Sequence, residues 1–376
     1  MAGLYIHIPF CKTRCIYCGF YSSTCIAKRH EYVDALCREL ELRRDYICGE
    51  SVGTVYLGGG TPSQLAIPEL ERIFDCIYRN YTLRDSAEIT LEGNPDDLTP
   101  GYVAGLKGLP VNRISMGVQT FDDNRLRFLH RRHTAEEARR AVETCREAGF
   151  SNISIDLIYG LPGEDEAAWR SDVETAVALN VPHLSAYCLM FEEGTPLYGL
   201  LKVGKVKEAD DERNLQFYTY LMERLRDAGY EHYEISNFCL PGYVSRHNSG
   251  YWNGRKYLGC GASAHSYDGV SRQWNVASLT DYVDSVSQGV VPFEREELSL
   301  NERYNDLIVT RLRTMKGLSL SALRHDFGGD YYNYCLKNAA LSMKDGNLEI
   351  AGDFLRLTRK GIFISDDIMS DLLRVE

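Results

Sequence analysis

Leu4-Tyr5-Ile6-His7-Ile8-Pro9-Phe10-Cys11-Lys12-Thr13-Arg14-Cys15-Ile16-Tyr17-Cys18 is the stretch that decides the fold. Its apolar start reads as a strand over Gly3 to Pro9. Cys11, Cys15 and Cys18 follow at once in a C-x3-C-x2-C spacing. A loop leaving a strand with three thiols can give one thiolate to each of three irons of a [4Fe–4S] cluster, and the fourth iron then stays open to a chelating small molecule. Thiolate-only ligand sets select iron–sulfur clusters or zinc over hard cations. Structural zinc, the competing reading, closes with four ligands, often through a second C-x2-C or a His pair. No second pair is present, and the surroundings of Cys25, the nearest further thiol, do not resemble a ligand loop. The other nine of the twelve cysteines are read as core or surface thiols rather than a disulfide framework.

Working outward, strands alternate with helices. Helices are expected over Arg29 to Tyr46 and Pro68 to Tyr78. Another is capped by Thr99 with Pro100 in its first turn, and a further one runs from a Thr134/Glu137 capping box to Ala148. The last of the series spans Glu164 to Leu179. Strands are expected at Thr54–Leu57, Glu88–Leu91, Arg113–Val118, Asn152–Tyr159 and His183–Met190, apolar on both faces. Strand-then-helix repetition implies parallel strands with crossover helices, in either an open doubly wound sheet or a barrel. Polar residues at strand ends, namely Gly59, Gly60, Thr61, Glu92, Gln119 and Asp156, sit where a barrel keeps its functional groups. After residue 195 the pattern changes. Ala209 to Ala228 reads as a long helix, residues 230–269 as irregular, and the chain from 301 as helices with a final hairpin around Ala351-Gly352-Asp353, winged-helix-like.

Composition narrows the class. With 44% hydrophobic and 25% charged residues over 376 positions, the chain reads as an ordinary soluble globular protein. A net charge of −11 argues against non-specific nucleic-acid binding and against a polybasic membrane patch. No signal peptide and no run of roughly 18 apolar residues is visible, so a cytoplasmic location is expected.

The motifs together resemble one family. The stretch Tyr5 to Cys18 is similar to the N-terminal signature of radical SAM proteins. Within them the chain resembles the branch that contains oxygen-independent coproporphyrinogen III oxidases and heme chaperones. Gly58-Gly59-Gly60-Thr61-Pro62, Glu92-Gly93-Asn94-Pro95, Ser115 to Phe121, Asp156 to Pro162 and His247-Asn248-x2-Tyr251-Trp252 all fit that branch. The resemblance implies an α/β fold: an incomplete parallel (β/α)6-type barrel over residues 1–200, an irregular extension over 201–300 with the H-N-x-x-Y-W segment, and a smaller mainly helical domain over 301–376. It also implies a [4Fe–4S] cluster on Cys11, Cys15 and Cys18. S-adenosylmethionine would lie against Gly59, Gly60, Thr61 and Glu92, with further contacts from Gln119, Arg131 and Asp156; Tyr5 and Tyr17 flank the cluster or the ligand.

Two features bear on activity. Phe20 stands where the decarboxylating branch carries a fourth cysteine, and H-N-x-x-Y-W matches the chaperones. Heme is therefore expected as a third cofactor. His247 is the candidate iron ligand, with Tyr251 or a cysteine as alternatives, and Tyr251 and Trp252 offer flat faces to a macrocycle. Implied partners are heme-accepting respiratory proteins, an electron donor of the flavodoxin or ferredoxin type, a second copy of the chain, and membranes transiently through those recipients. Whether the chain is also an enzyme stays open, oxidative decarboxylation of coproporphyrinogen III or another radical reaction on a tetrapyrrole being the alternative.

Overall fold

The computed structural model describes residues 1–375. Its centre is a run of parallel strands, each followed by helical crossovers: β1 (Ala2–Ile8), α1 (Arg29–Leu42), β2 (Val52–Gly59), α2 (Ile67–Asn80), β3 (Leu83–Gly93), α3 (Pro100–Leu106), β4 (Arg113–Gln119), α4 (Asp123–Phe128), α5 (Ala135–Glu147), β5 (Ile153–Tyr159), α6 (Glu166–Ala178) and β6 (His183–Cys188). The strands pair in sequence order from β1 to β6, and among the described residues no ladder joins β6 back to β1, so the barrel is incomplete. The sequence signals act as local physics requires. Thr99 caps α3, accepting from the Tyr102 amide, and the Thr134–Glu137 capping box starts α5. The first helix stops at Leu42, short of the expected Tyr46.

The segment expected to be irregular is instead part of the same sheet. After α7 (Pro196–Lys202) and α8 (Asp211–Asp227), a hairpin of β7 (Glu231–Glu234) and β8 (Asn237–Cys239) adds antiparallel to β6. Then α9 (Arg246–Trp252) leads to β9 (Tyr257–Cys260), which pairs parallel with β1. The strands β10 (His265–Tyr267), β11 (Ser271–Asn275) and, beyond α10 (Leu279–Ser287), β12 (Phe293–Glu297) continue that edge antiparallel. The sheet thus reaches twelve strands, with the parallel six in its middle. These added strands are three to five residues long and are made by pairing with distant chain, so residue periodicity does not reveal them.

The remainder is α11 (Leu300–Leu312), β13 (Leu318–Ser319), α12 (Leu320–Lys344, broken at Gly328), β14 (Leu348–Ala351), β15 (Phe354–Leu357), α13 (Arg359–Ile362) and α14 (Ser365–Leu372). The helix–strand–helix–hairpin order and the three-stranded antiparallel sheet β13-β15-β14 are those of a winged helix. No helix among the described residues is long and apolar enough to cross a membrane.

One buried carboxylate ties the N-terminal helix to the far edge of the sheet. Glu39 on α1 is fully buried and accepts from Arg43 Nη1 (3.1 Å), the Gly261 amide (2.7 Å), Asn275 Nδ2 (2.7 Å) and the Tyr282 hydroxyl (2.6 Å). Arg43 is itself buried and also donates to the Gly259 carbonyl. Removing the carboxylate strands a buried guanidinium and three donors. Glu39→Ala is expected to lower unfolding stability by about 3–5 kcal/mol, measured by denaturant unfolding; a loss under about 1 kcal/mol would show that the edge β9–β12 docks without it.

Candidate functional site

Along the parallel strands the buried runs are interrupted by more accessible positions. Tyr5, Tyr56, Glu92, Gly117 and Asp156 are partly exposed between buried neighbours, and Tyr187 is exposed. Helices cover the outer face, so this accessible row is the interior of the incomplete barrel, toward the C-terminal strand ends where barrel sites form.

The cysteine loop leaves β1 at that end. Cys11, Cys15 and Cys18 are free and half-buried, and Cys11 Sγ lies 3.3 Å from Thr61 Oγ1. Arg131 Nη1 donates to Cys15 Sγ at 3.4 Å. The Ile16 amide is anchored on the Leu129 carbonyl, and Tyr17 packs with Leu129, Ile158 and Leu161. Burial pushes the Cys11 and Cys18 thiols up, and repulsion from the neighbouring sulfurs adds to it. Among the described residues no three His, Cys, Asp or Glu side chains converge on one point as a single ion's ligands do. Three accessible thiols in one loop, with a hydroxyl and a guanidinium beside them, fit the donor set of an iron–sulfur cluster, in which each thiolate takes a different iron.

The glycines at the end of β2 are needed because β1 exits against them. A Cβ on Gly60 would sit 2.8 Å from the Ile8 carbonyl oxygen and 3.0 Å from the Phe10 nitrogen, and one on Gly59 would lie 2.4 Å from the His7 ring. Gly59 also has φ +104°, outside the ordinary range of side-chain-bearing residues. The Gly60 amide bonds the Ile8 carbonyl at 2.9 Å, which holds Thr61 beside Cys11.

Two carboxylates face the barrel interior. Glu92 accepts from the Tyr56 hydroxyl (2.6 Å) and the Gly59 amide (3.2 Å). Desolvation, reinforced by Asp156, lifts its pKa to about 7 despite those bonds and Arg113. Desolvation lifts Asp156 to about 6, opposed by the Ser185 hydroxyl, Arg113 and Arg131. Arg113, 1% exposed, is a residue that sequence reasoning missed: its Nε and Nη1 have no hydrogen-bond partner among the described residues. A cation opening an otherwise apolar, doubly covered strand was the available signal.

Gln119 and Arg131 join the same interior. Gln119 ends β4 at φ +72°, where the register to β5 slips between Gly117 and Gln119, as a bulge does. Arg131 is held by Asn94 Oδ1 and the Gly117 carbonyl as well as by Cys15, and its Nε has no partner. Its guanidinium thus lies against the cysteine loop and the end of β4 rather than in solvent. Asn94 and Tyr56, also unforeseen, position Arg131 and Glu92.

His247 is elsewhere. It lies on α9 at the opposite, N-terminal part of the barrel, 3% exposed, with Nδ1 2.8 Å from Thr54 Oγ1 and Nε2 2.9 Å from the Tyr251 hydroxyl. Its ring stacks on Tyr56 at 5.1 Å. Tyr5 stacks on Tyr56 in turn and its hydroxyl meets His7 Nδ1 at 3.0 Å. Burial pushes the His247 pKa down to about 3. Both nitrogens of His247 are engaged, and its ring closes the barrel floor. Trp252 carries the Arg313 guanidinium on one face at 4.0 Å, joining α9 to the C-terminal helices.

A cavity of about 800 Å3 starts at the cluster loop and runs between the β1–β9–β10 edge and α11–α12. Gly19, Phe20 and Tyr21 form its near wall, Tyr251, Trp252, Tyr257 and Tyr267 a side, and Arg303, Arg311 and Phe327 the far wall.

Fold and site thus define a radical SAM-type protein. Residues 5–176 match the Radical SAM superfamily and residues 298–364 the HemN C-terminal domain. The chain is similar over its whole length to the solved coproporphyrinogen III oxidase HemN of Escherichia coli, described as a radical SAM enzyme. There the TM-score is 0.86 at 25% identity, covering 99% of this chain and 89% of that one. It is 34% identical to the heme chaperone HemW of Mycobacterium tuberculosis, covering 99% of this chain and 94% of that protein. With HemW of Bacillus subtilis it shares 32% identity, covering 99% of each. The chain belongs to the HemW family of radical SAM proteins.

The raised Glu92 pKa has a stability consequence. Because the folded state holds this proton more tightly than the unfolded chain, the associated stability is full below pH 4.5 and is lost as pH rises toward 7. Relative to wild type, Glu92→Gln should therefore gain about 1–3 kcal/mol of unfolding stability between pH 4.5 and 8. Chemical denaturation across that range checks it, and parallel pH profiles for the two proteins would refute the assignment.

Proposed function

We propose that this protein is a heme chaperone of the radical SAM type. It binds a [4Fe–4S] cluster through Cys11, Cys15 and Cys18, S-adenosylmethionine inside the barrel, and heme in the adjoining cavity, and it passes heme to respiratory hemoproteins in the cytoplasm or at the membrane surface. The observation that carries the reading is the aromatic- and arginine-lined cavity of about 800 Å3 beginning at the cluster loop, in a chain matched along nearly its full length by proteins named heme chaperone. Its size is within the range of small-molecule and cofactor sites, and its walls suit a flat apolar ring with charged edges.

A bound cluster supplies an open iron position and a route for one electron to a sulfonium ligand. The chain's own residues supply the binding. Gly59 and Gly60 let the backbone reach the ligand's amino-acid end, and Thr61 adds a hydroxyl. Glu92 and Asp156 offer carboxylates for its ammonium and ribose hydroxyls, while Gln119 and Arg131 add donors beside the cysteine loop. With its pKa raised to about 7, Glu92 would release its proton to solvent when a cation binds beside it, because the cation favours the carboxylate and pulls the pKa down.

The likeness to HemN favours a second reading, oxidative decarboxylation of coproporphyrinogen III. Phe20 argues against it: a 68% exposed phenylalanine projects from the cysteine loop onto the cavity wall where the decarboxylating branch carries a thiol. With cluster reconstituted anaerobically, hemin titration should give one Soret-absorbing heme per chain. Coproporphyrinogen III with S-adenosylmethionine and a reductant should release no carbon dioxide. Cys15→Ala should lose the cluster's visible absorbance. Turnover of coproporphyrinogen III without stoichiometric heme binding would replace the chaperone reading by the enzyme.

A further inference from the structure

We propose that an iron porphyrin sits in the cavity with His265 on its iron and with Arg303, supported by Arg255 and Arg311, on its propionates; this rests on the heme reading above. Three histidines lie in or beside this part of the molecule. His7 is 4% exposed, with Nδ1 3.0 Å from the Tyr5 hydroxyl and Nε2 3.0 Å from the Tyr21 carbonyl. His247 is closed off by Thr54 and Tyr251. His265 differs: it stands on the short strand β10, on the cavity wall, and among the described residues neither of its ring nitrogens has a hydrogen-bond partner. Its ring is oriented by stacking on Trp274 of β11, the residue directly opposite in the ladder, with centroids 6.1 Å apart. An imidazole fixed by stacking, with both nitrogens free, is the form that ligates iron. Partial burial, helped by Arg272, pushes its pKa down and keeps the lone pair available.

Charge on the walls matches a dianionic macrocycle. Four arginines line the cavity against two aspartates. Arg272 is paired with Asp306, and Asp326 is engaged by His325. Arg255, Arg303 and Arg311 have no carboxylate partner among the described residues, and Arg303 Nε is buried with no hydrogen bond at all. Arg311 bonds only the side chain and carbonyl of Asn253, and desolvation pushes its pKa down, a cost that an anion would remove. The apolar counterpart is already in place: Phe20, Tyr257, Tyr267 and Phe327 present ring surface to the same space, and Phe20 stays largely in water without an occupant. Guanidiniums hold carboxylates in paired geometry, and aromatic faces cover a macrocycle.

Hemin is titrated into the cluster-loaded full chain and into His265→Ala, His247→Ala and Arg303→Glu, with circular dichroism and cluster content as folding controls. His265→Ala should bind at least tenfold more weakly with a shifted Soret band, and added imidazole should restore the wild-type spectrum. His247→Ala should keep the wild-type band position. Iron-free protoporphyrin should bind wild type and His265→Ala alike. Arg303→Glu should weaken hemin at least fivefold but leave hemin dimethyl ester, which lacks free propionates, unaffected. If His265→Ala does not fold, His265→Gln takes its place with the same expectation. An unchanged Soret band and affinity in the His265 variant overturns this seat while heme binding itself stands. Absence of heme binding by wild type overturns the heme reading and the seat together.

Discussion

The site depends on the close approach of two backbones. The end of β1 runs over Gly59 and Gly60 so tightly that a methyl group at either position would overlap the Ile8 carbonyl or the His7 ring. That contact aims the chain leaving β1 across the mouth of the barrel, sets Cys11 beside Thr61, and brings the Gly59 amide onto Glu92. Everything the cysteine loop touches afterwards, including Leu129 through the Ile16 amide and Arg131 through Cys15, is reached from this starting direction. A substitution at Gly60 has no flexible neighbour to displace, since the atoms it would strike are backbone.

Buried charge is treated in two opposite ways in this molecule. Glu39 is saturated by four donors and joins elements far apart in sequence. Glu92 and Asp156 are less well provided: desolvation prevails over their hydrogen bonds and raises both toward neutrality. Arg113 is buried among them with unpaired nitrogens. Such groups cost stability and are kept where a ligand completes them. Their sum inside the barrel, two weakened carboxylates near a lone guanidinium, suits a ligand that brings both a cation and an anion, as an amino-acid end does.

Much of this could be read from the chain alone because the informative signals are local. The cysteine loop, the strand before it, the capped helices at Thr99 and Thr134 and the final hairpin are set by neighbours in sequence. The strands β7–β12 could not be read this way. Each is short, and β9 is a strand because it lies along β1, more than 250 residues earlier. The same limit explains His247. Its residue type and its Asn, Tyr and Trp neighbours suggest a heme ligand, but the group that occupies its Nδ1, Thr54, is 193 positions away. Arg113 at the start of β4 looks like an edge charge until the strand is known to be covered on both faces.

The H-N-x-x-Y-W segment then acquires a physical role different from ligation. His247 plugs the barrel floor, Tyr251 links that plug to the cavity wall, and Trp252 receives Arg313 from the C-terminal helices. Arg313 in turn pairs with the fully buried Glu234 of the β7–β8 hairpin at 3.1 Å. One short helix therefore couples the barrel interior, the outer edge of the sheet and the domain that forms the far wall of the cavity. The cavity meets α11 and α12 on one side and Tyr251 of α9 on the other, so this helix is the structural joint between the cavity wall and the barrel floor.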